Sequence, residues 1–259
     1  MYAEERQQAV VRLVTQRRRV AVSDLAAEFR VTTETVRRDL SLLEKQGLVR
    51  RVHGGVVPAD ALVPLETGLS ERDHTRADLK DRIARAALAL LPGTGGSVLL
   101  DAGSTTARLA DALALTRSAD HRLVVHTHAV PLAARLVSAP QVDLHVLPGR
   151  VRTATGAGVG ADTVLHLQRL RADVALLGTN ALSPDHGAST PDADEAAVKR
   201  ALVGAAHRVV VLADSSKLGR QAGVRFADLA EIDDVVTDDG VEAADVRWLE
   251  DAGVEVHVA

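Results

Sequence analysis

Short apolar runs alternate with amphipathic segments from residue 97 onward, and this alternation restricts the fold more than any other feature. Helical segments fall at about 78–91, 104–115, 130–138, 161–170, 193–206 and 242–252. Between and after them lie runs typical of buried strands: Ser97–Leu100, Leu123–His126, Leu144–Leu147, Val174–Leu177, Val209–Ala213, Val235–Thr237 and Val254–Val258. Apolar strands that alternate with helices predict an α/β domain with a doubly wound, mainly parallel sheet.

Residues 1–57 follow a different pattern, in which short helical segments precede a basic hairpin. An apolar stripe predicts a helix over 4–16, and Ser23 is suited to cap a second short helix. This stretch has 11 Lys and Arg against 7 Asp and Glu, whereas the rest of the chain has 20 against 28. A basic head on an acidic body favours binding of a phosphate backbone at one end of the molecule.

A third helix is predicted to begin at Thr32 or Thr33 and to end at Gly47. Its inner face, at helical spacing, is formed by Val36, Leu40 and Leu43. The next stretch, Leu48–Val57, reads as two strands around a Gly-Gly turn. Three short helices and a basic hairpin predict a winged helix-turn-helix that binds double-stranded DNA.

The outward side chains of this unit are the predicted DNA contacts. A helix of this length fits the major groove, where arginine makes bidentate contacts to guanine or holds phosphates. The candidates on the third helix and the hairpin are Thr33, Thr35, Arg37, Arg38, Ser41, Arg50, Arg51 and His53. The Arg17–Arg19 run is a further candidate for phosphate contacts. The alternative for Arg37 and Arg38 is solvated charge, or pairing with Glu34 or Asp39.

Two motifs of the head are specific: Thr-Val-Arg-Arg-Asp-Leu at 35–40 and Arg-Val-His-Gly-Gly at 51–55. With them the head resembles the DNA-binding signature of the DeoR family of repressors. The resemblance implies that Thr35, Arg37 and Arg38 lie on the recognition helix. One departure is the arginine run at 17–19, where family members often have a glycine turn.

A polar turn follows the first strand of the large domain. Gly103 lets the backbone approach a ligand, and three hydroxyl residues at 104–106 lie beside free N–H groups at a helix N-terminus, which suits a phosphate. Plain helix capping is the alternative. Open α/β sheets bind ligands at the carboxyl ends of their strands. Candidates at that edge are Asp101, Gly103, Ser104, Thr105, Thr106, Thr127, Gly178, Thr179, Asp214 and Lys217, each with a structural turn as its alternative.

The large domain also resembles the DeoR-family sensor domain, whose fold is similar to ribose-5-phosphate isomerase and CoA transferases. The matching segments include Leu100–Thr106, Gly178–Asn180 and Leu212–Arg220. The resemblance implies that the loop at 104–106 binds phosphate with Lys80 and Lys217 as partners, and it adds Glu195 to the effector site. Within the family, the pattern is most similar to actinobacterial regulators of fructose utilisation, which makes fructose-1-phosphate the first candidate effector.

Two departures from the family pattern lie near the expected ligand edge. His126-Thr127-His128 replaces a threonine–asparagine pair, and Pro148-Gly149-Arg150 replaces a glycine pair. Both are expected to affect which sugar binds. His126 and His128 share one strand face, but no third ligand is matched to them, so no metal site and no cofactor is expected.

These patterns predict a repressor with a DNA-binding domain at 1–57, a linker at 58–76 and a sugar-phosphate sensor domain at 77–259. A cytoplasmic protein is expected, because the chain has no cysteine, no apolar signal segment and no apolar run near the ~20 residues that span a bilayer. The expected partners are operator DNA, a phosphorylated sugar and further copies of the chain in a homodimer or homotetramer. The alternative is a sugar-phosphate isomerase with a DNA-binding head, which would use carboxylates such as Asp101 and Glu195 with Lys217.

Overall fold

The computed structural model describes residues 3–17, 20–46, 48–52, 55–58, 69–116 and 122–259. The chain divides into two compact units, Met1–Val63 and Pro64–Ala259. Within the described ranges, every helix is too short or too polar to cross a bilayer.

Three helices and a three-stranded antiparallel sheet form the N-terminal unit. In chain order the elements are α1 (Ala3–Arg17), β1 (Val20–Ala21), α2 (Val22–Phe29), α3 (Thr33–Lys45), β2 (Val49–Val52) and β3 (Gly55–Pro58). The sheet order is β1-β3-β2, so the predicted hairpin pairs with a two-residue strand that the sequence did not signal. The predicted winged helix-turn-helix is confirmed.

The core of this unit collects apolar side chains from all three helices and all three strands: Val10, Val14, Val20, Leu25, Val36, Leu40, Leu43, Val49 and Val56. Thr32 caps α3 as predicted, because its Oγ1 accepts the Thr35 N–H at 3.2 Å. The prediction that Ser23 caps α2 is wrong. The N-cap is Ala21, since β1 runs directly into the helix. Gly47 lies outside the described residues.

The C-terminal unit is an α/β domain. Its helices are α4 (Leu69–His74), α5 (Ala77–Ala87), α6 (Ser104–Leu115), α7 (Val130–Leu136), α8 (Ala161–Leu167), α9 (Ala193–Gly204) and α10 (Ala243–Asp251). Short 3₁₀ turns lie at Leu88–Leu90, Ser215–Lys217 and Leu229–Glu231. Its strands are β4 (Ser97–Leu100), β5 (Leu123–Thr127), β6 (Val142–Val146), β7 (Arg150–Val151), β8 (Gly158–Val159), β9 (Ala172–Gly178), β10 (Ala181–Ser183), β11 (Gly187–Thr190), β12 (Ala206–Leu212), β13 (Val224–Ala227), β14 (Asp234–Thr237) and β15 (Glu255–Val258).

Seven strands form one parallel sheet in the order β15-β14-β12-β9-β4-β5-β6. The predicted mainly parallel sheet is therefore confirmed. Two small antiparallel additions, β10-β11-β13 and β7-β8, were not predicted. They contain small residues and glycines rather than the long apolar runs of the main sheet. The helix α4 also lies inside the stretch predicted as an irregular linker.

The sheet is buried between helices. The central strands β9 and β12 carry consecutive fully covered side chains, such as Leu176, Leu177, Val210 and Val211. The order of the sheet brings the carboxyl ends of β4, β5, β9 and β12 to one edge, and the polar residues predicted as an effector site follow those ends.

Candidate DNA interface and effector site

The recognition helix α3 presents its two predicted arginines to solvent. Arg37 is 63% exposed and its only ion pair among the described residues is a 3.8 Å contact with Glu34. Arg38 is also exposed and has no hydrogen bond or ion pair within the described part of the chain. Exposed ion pairs of this kind contribute little to stability, so the fold does not depend on either guanidinium group.

Asp39 lies next to these arginines but faces the interior of the unit. Its carboxylate accepts hydrogen bonds from Arg6 Nε at 2.7 Å and from Gln7 Nε2 at 2.9 Å. Both partners lie on α1, so Asp39 fixes α1 against the recognition helix. The alternative in which Asp39 pairs with Arg37 or Arg38 is therefore wrong.

The wing is joined to α3 by Arg51. Its Nε donates to Glu44 Oε2 at 2.8 Å, and its Nη1 donates to Ser41 Oγ at 3.0 Å. These contacts set the wing beside the recognition helix, and the guanidinium is still 48% exposed. Of the other predicted contacts, Thr33 is exposed at the start of α3, and Thr35 shares a hydrogen bond with the Thr32 hydroxyl.

The remaining predicted contacts are outside the part of the chain that can be described. His53 and the arginines at 18 and 19 belong to undescribed positions, as does the side chain of Arg50. Arg17 lies at the end of α1, 4.0 Å from Glu28.

In the second unit, α6 begins at the carboxyl end of β4 without a side-chain cap. Its N-cap is Gly103, and the first turn contains the buried residues Ser104, Thr105 and Thr106. The first N–H groups of a helix have no intrahelical acceptor, so they remain available to an anion. Gly103 has an extended backbone with φ 167°, which any residue adopts. A Cβ there would meet Thr106 Oγ1 at 3.3 Å, a tight contact, so glycine leaves room beside the Thr106 side chain.

Several cationic side chains gather where α4 and α5 meet the end of β12. Lys80 is buried and donates to the carbonyls of Thr75, at 2.7 Å, and Arg72. Burial lowers the Lys80 pKa to about 8, although the charge of Asp214 opposes the shift. Burial also lowers the Lys217 pKa. Asp214 accepts from Arg76 Nη1 at 3.2 Å.

Asp101, at the end of β4, is the centre of a buried polar network. Its Oδ2 accepts the Gly178 N–H at 2.9 Å and pairs with the Lys199 ammonium. Its Oδ1 lies 3.3 Å from His128 Nε2. Burial acts to raise the pKa of this carboxyl, but the Lys199 charge and the His128 hydrogen bond outweigh burial and hold it below its usual value.

Glu195 belongs to a separate network at the start of α9. Its carboxylate accepts Arg152 Nη1 at 2.6 Å and Thr155 Oγ1 at 2.5 Å. Arg152 also pairs with Asp192 at 3.1 Å, and Arg150 pairs with Asp194 at 2.7 Å. The segment that carries β7 and β8 is therefore fixed to α9 by two arginines.

Family models match both units of the chain. The model described as the DeoR C-terminal sensor domain matches residues 75–239, and the one described as a DeoR-like helix-turn-helix domain matches residues 6–61. The chain belongs to the DeoR family. It is therefore a DNA-binding transcriptional regulator, and the prediction that it is not an enzyme agrees with the names of its relatives.

Two relatives of this DeoR-family chain align over nearly its full length. The HTH-type transcriptional regulator GlpR of Haloferax volcanii is 35% identical and covers 99% of this chain and 98% of that protein. The glycerol-3-phosphate regulon repressor of Escherichia coli K12 is 28% identical over 100% of both chains. Neither is actinobacterial, so the expected closeness to actinobacterial fructose regulators stays a prediction.

The sensor fold of the DeoR-family chain was expected to resemble ribose-5-phosphate isomerase. The solved isomerase A of Methanocaldococcus jannaschii aligns over 56% of this chain and 55% of that chain, with TM-score 0.42 and 18% identity. A structural similarity this weak supports no inference about function. The isomerase alternative requires Asp101 and Glu195 as catalytic carboxylates. In the structure each already forms an ion pair, Asp101 with Lys199 and Glu195 with Arg152.

Two other predicted residues of this DeoR-family sensor domain, Thr127 and Thr179, form hydrogen bonds with backbone groups. Thr127 Oγ1 donates to Leu100 O at 2.9 Å and accepts the Ala129 N–H, and Thr179 Oγ1 donates to Ala181 O at 2.7 Å. Sequence reasoning gave no role to Lys199 or Arg152. Lys199 lies four residues after Glu195 on α9, and that spacing could have placed it on the same helix face.

Proposed function

We propose that this DeoR-family protein is a repressor that leaves its operator when a phosphorylated sugar binds the sensor domain. The observation that carries the sensor half is the uncapped start of α6 at the carboxyl edge of the sheet. Residues 103–106 were predicted there as a phosphate loop, and the helix end supplies unsatisfied N–H groups and a positive dipole.

Lys80 and Lys217 are the proposed cationic partners of the phosphate. Burial lowers the pKa of both ammonium groups, and strongly perturbed lysines of this kind are frequent at functional sites. An anion bound beside them would offset the loss of hydration and favour the charged form. Asp214 lies in the same group and is a candidate acceptor for a sugar hydroxyl.

The DNA half of the proposal rests on Arg37 and Arg38. Both extend from α3 into solvent, and α3 has the length and capping of a recognition helix. Operator binding places the protein in the cytoplasm, where the DNA lies. Fructose-1-phosphate is the first effector to test, and glycerol-3-phosphate is the second because one full-length relative is named the glycerol-3-phosphate regulon repressor.

The test begins by selecting duplexes that the full-length protein binds from a random DNA pool. Gel-shift titration then measures the affinity for the selected duplex with and without fructose-1-phosphate, glycerol-3-phosphate and each unphosphorylated parent. One phosphorylated compound is expected to weaken DNA binding, because an effector that prefers the DNA-free form must be opposed by DNA in equal measure.

The matched variants separate the two halves of the proposal. Lys217→Met is expected to bind DNA like the wild type and to lose the response, whereas Arg38→Ala is expected to lose DNA affinity and still be stabilised by the effector in a thermal-shift measurement. DNA affinity that is indifferent to every phosphorylated sugar would overturn the sensor claim and leave the DNA-binding claim intact.

A further inference from the structure

The last strand on one side of the parallel sheet, β6, has no neighbour beyond it. The sheet order ends at β6, which pairs only with β5 among the described strands. An unprotected edge strand is a template for pairing with another chain, and proteins usually block such edges with proline, lysine or other charged side chains. The sequence of β6 is Val-Asp-Leu-His-Val, which contains no proline or lysine and has Asp143 as its one acidic side chain.

The direction of the free backbone groups follows from the known hydrogen bonds of β6. Gln141 O accepts the Leu123 N–H, and the Leu147 N–H donates to Thr127 O, so the odd positions of this strand face β5. Successive residues alternate, so the N–H and C=O groups of Leu144 and Val146 point away from the sheet. The Val142 N–H on the same side already donates to Ala139 O at 3.1 Å, so the strand offers the outward N–H and C=O groups of Leu144 and Val146.

The charges of β6 are self-complementary about Leu144. In an antiparallel pair of two identical strands with Leu144 opposite Leu144, Asp143 of one copy lies opposite His145 of the other, and Val142 lies opposite Val146. Asp143 and His145 are 66% and 50% exposed, and they lie 3.6 Å apart within one chain, so both can reach across such a pair. Shifting the register by two residues loses the two matched pairs.

Exposed apolar side chains surround the same edge. Val146 is 55% exposed, and the helix α7, which packs on β6, begins with Val130 at 48% exposure and is followed by Val137 at 71%. The opposite edge differs. There His257 of β15 is held by the buried Asp234 at 2.7 Å, so it is not free to pair across an interface.

From this geometry we infer that two copies of the chain bind each other through β6. The strands run antiparallel across a two-fold axis at Leu144 and join the two parallel sheets into one. This deepens the proposed function by naming the surface of the expected homo-oligomer, and it depends on neither DNA nor effector. An isologous contact of this kind closes on itself and gives a dimer, or one of the interfaces of a tetramer.

Sedimentation velocity of the full-length protein, without DNA or sugar, tests the inference. The wild type is expected at twice the 27.3 kDa chain mass or a higher even multiple. Below about pH 6, where an ordinary imidazole is protonated, Asp143→Lys and His145→Asp each place like charges opposite one another, and each is expected to halve the mass at a concentration where the wild type is associated. The double variant restores opposite charges and is expected to restore the association.

Cross-linking locates the axis, because the chain has no cysteine of its own. In the proposed register the two Leu144 Cα atoms form a hydrogen-bonded pair about 5.5 Å apart, within the range of a disulfide. Leu144→Cys is expected to give a covalent dimer on oxidation, and Glu250→Cys, an exposed position on α10, serves as the control that does not.

The folded state of each variant is checked by the fluorescence of the single tryptophan, Trp248, on α10. A monomeric wild type would overturn the inference. So would association that survives both single charge changes while the Leu144→Cys protein fails to cross-link, since the contact would then lie elsewhere. The two tests are independent. A protein that fails to respond to any phosphorylated sugar can still dimerise through β6, and a monomeric protein can still respond to a phosphorylated sugar.

Discussion

The two units of the molecule differ in how far their charged side chains are buried. In the helix-turn-helix unit the predicted cations stay in solvent, and Asp39 is the one buried charged side chain among its described residues. In the sensor unit several charged side chains are buried: Asp101 pairs with Lys199, Glu195 pairs with Arg152, and Lys80 donates to backbone carbonyls. A surface that contacts DNA backbone keeps its cations hydrated until they meet phosphate, whereas a small-molecule sensor needs a fixed polar network.

The largest effect that separates the units is expected from Lys199→Met. Removing this ammonium leaves the Asp101 carboxylate charged and buried, which costs about 3–5 kcal/mol of unfolding free energy. Urea unfolding followed by Trp248 fluorescence measures the sensor unit. Arg169→Met, an exposed position on the same unit, is the control and should change the value by less than about 0.5 kcal/mol. A loss below about 1 kcal/mol for Lys199→Met would contradict the buried pair.

The second prediction concerns DNA binding by the helix-turn-helix unit. Arg38→Ala is expected to weaken binding to a selected duplex by about 1–3 kcal/mol, roughly 5-fold to 150-fold, with no change in the unfolding free energy. Fluorescence anisotropy with labelled duplex gives the affinity, and Arg169→Ala provides the charge-matched control. Unchanged affinity would mean that the exposed guanidinium does not contact DNA.

The third prediction uses the pKa of Lys80, about 8 in the folded chain. An unfolded lysine has a pKa near 10.4, so between about pH 8 and pH 10.4 the unfolded chain binds more protons than the folded one. Stability should therefore rise with pH across that window, by at most about 1.4 kcal/mol per pH unit. The difference between wild type and Lys80→Met, measured by urea unfolding, isolates this rise. An identical slope in both proteins would refute the buried, depressed lysine.

The smallest effect is expected at the wing. Arg51 and Glu44 form a half-exposed pair, so Arg51→Ala should change unfolding by less than about 1 kcal/mol. If Arg51 contacts phosphate, the same change lowers the slope of log affinity against log salt by about 1. An unchanged salt slope would show that Arg51 contacts no phosphate, and a large loss of stability would show that the Arg51–Glu44 pair stabilises the fold as a buried pair does.

The sequence predicted the head more completely than the effector site, and the reason is the range of the contacts involved. The face of Val36, Leu40 and Leu43 and the outward direction of Arg37 and Arg38 follow from helical period alone. The cap of α2 was misassigned because β1 depends on pairing with β3, more than 30 residues away. The spacing of residues near Ser23 does not indicate that a distant strand pairs with β1.

What the sequence determined by itself is the alternation of elements, the parallel sheet and the edge at which its polar residues gather. Only the tertiary structure decided that Asp101 pairs with Lys199, 98 residues later, and that Glu195 pairs with Arg152. Periodicity fixes which side of a helix or strand is buried, since that depends on neighbours in the chain. The partner of a buried charge depends on which strands and helices meet, and this is settled only when the sheet assembles.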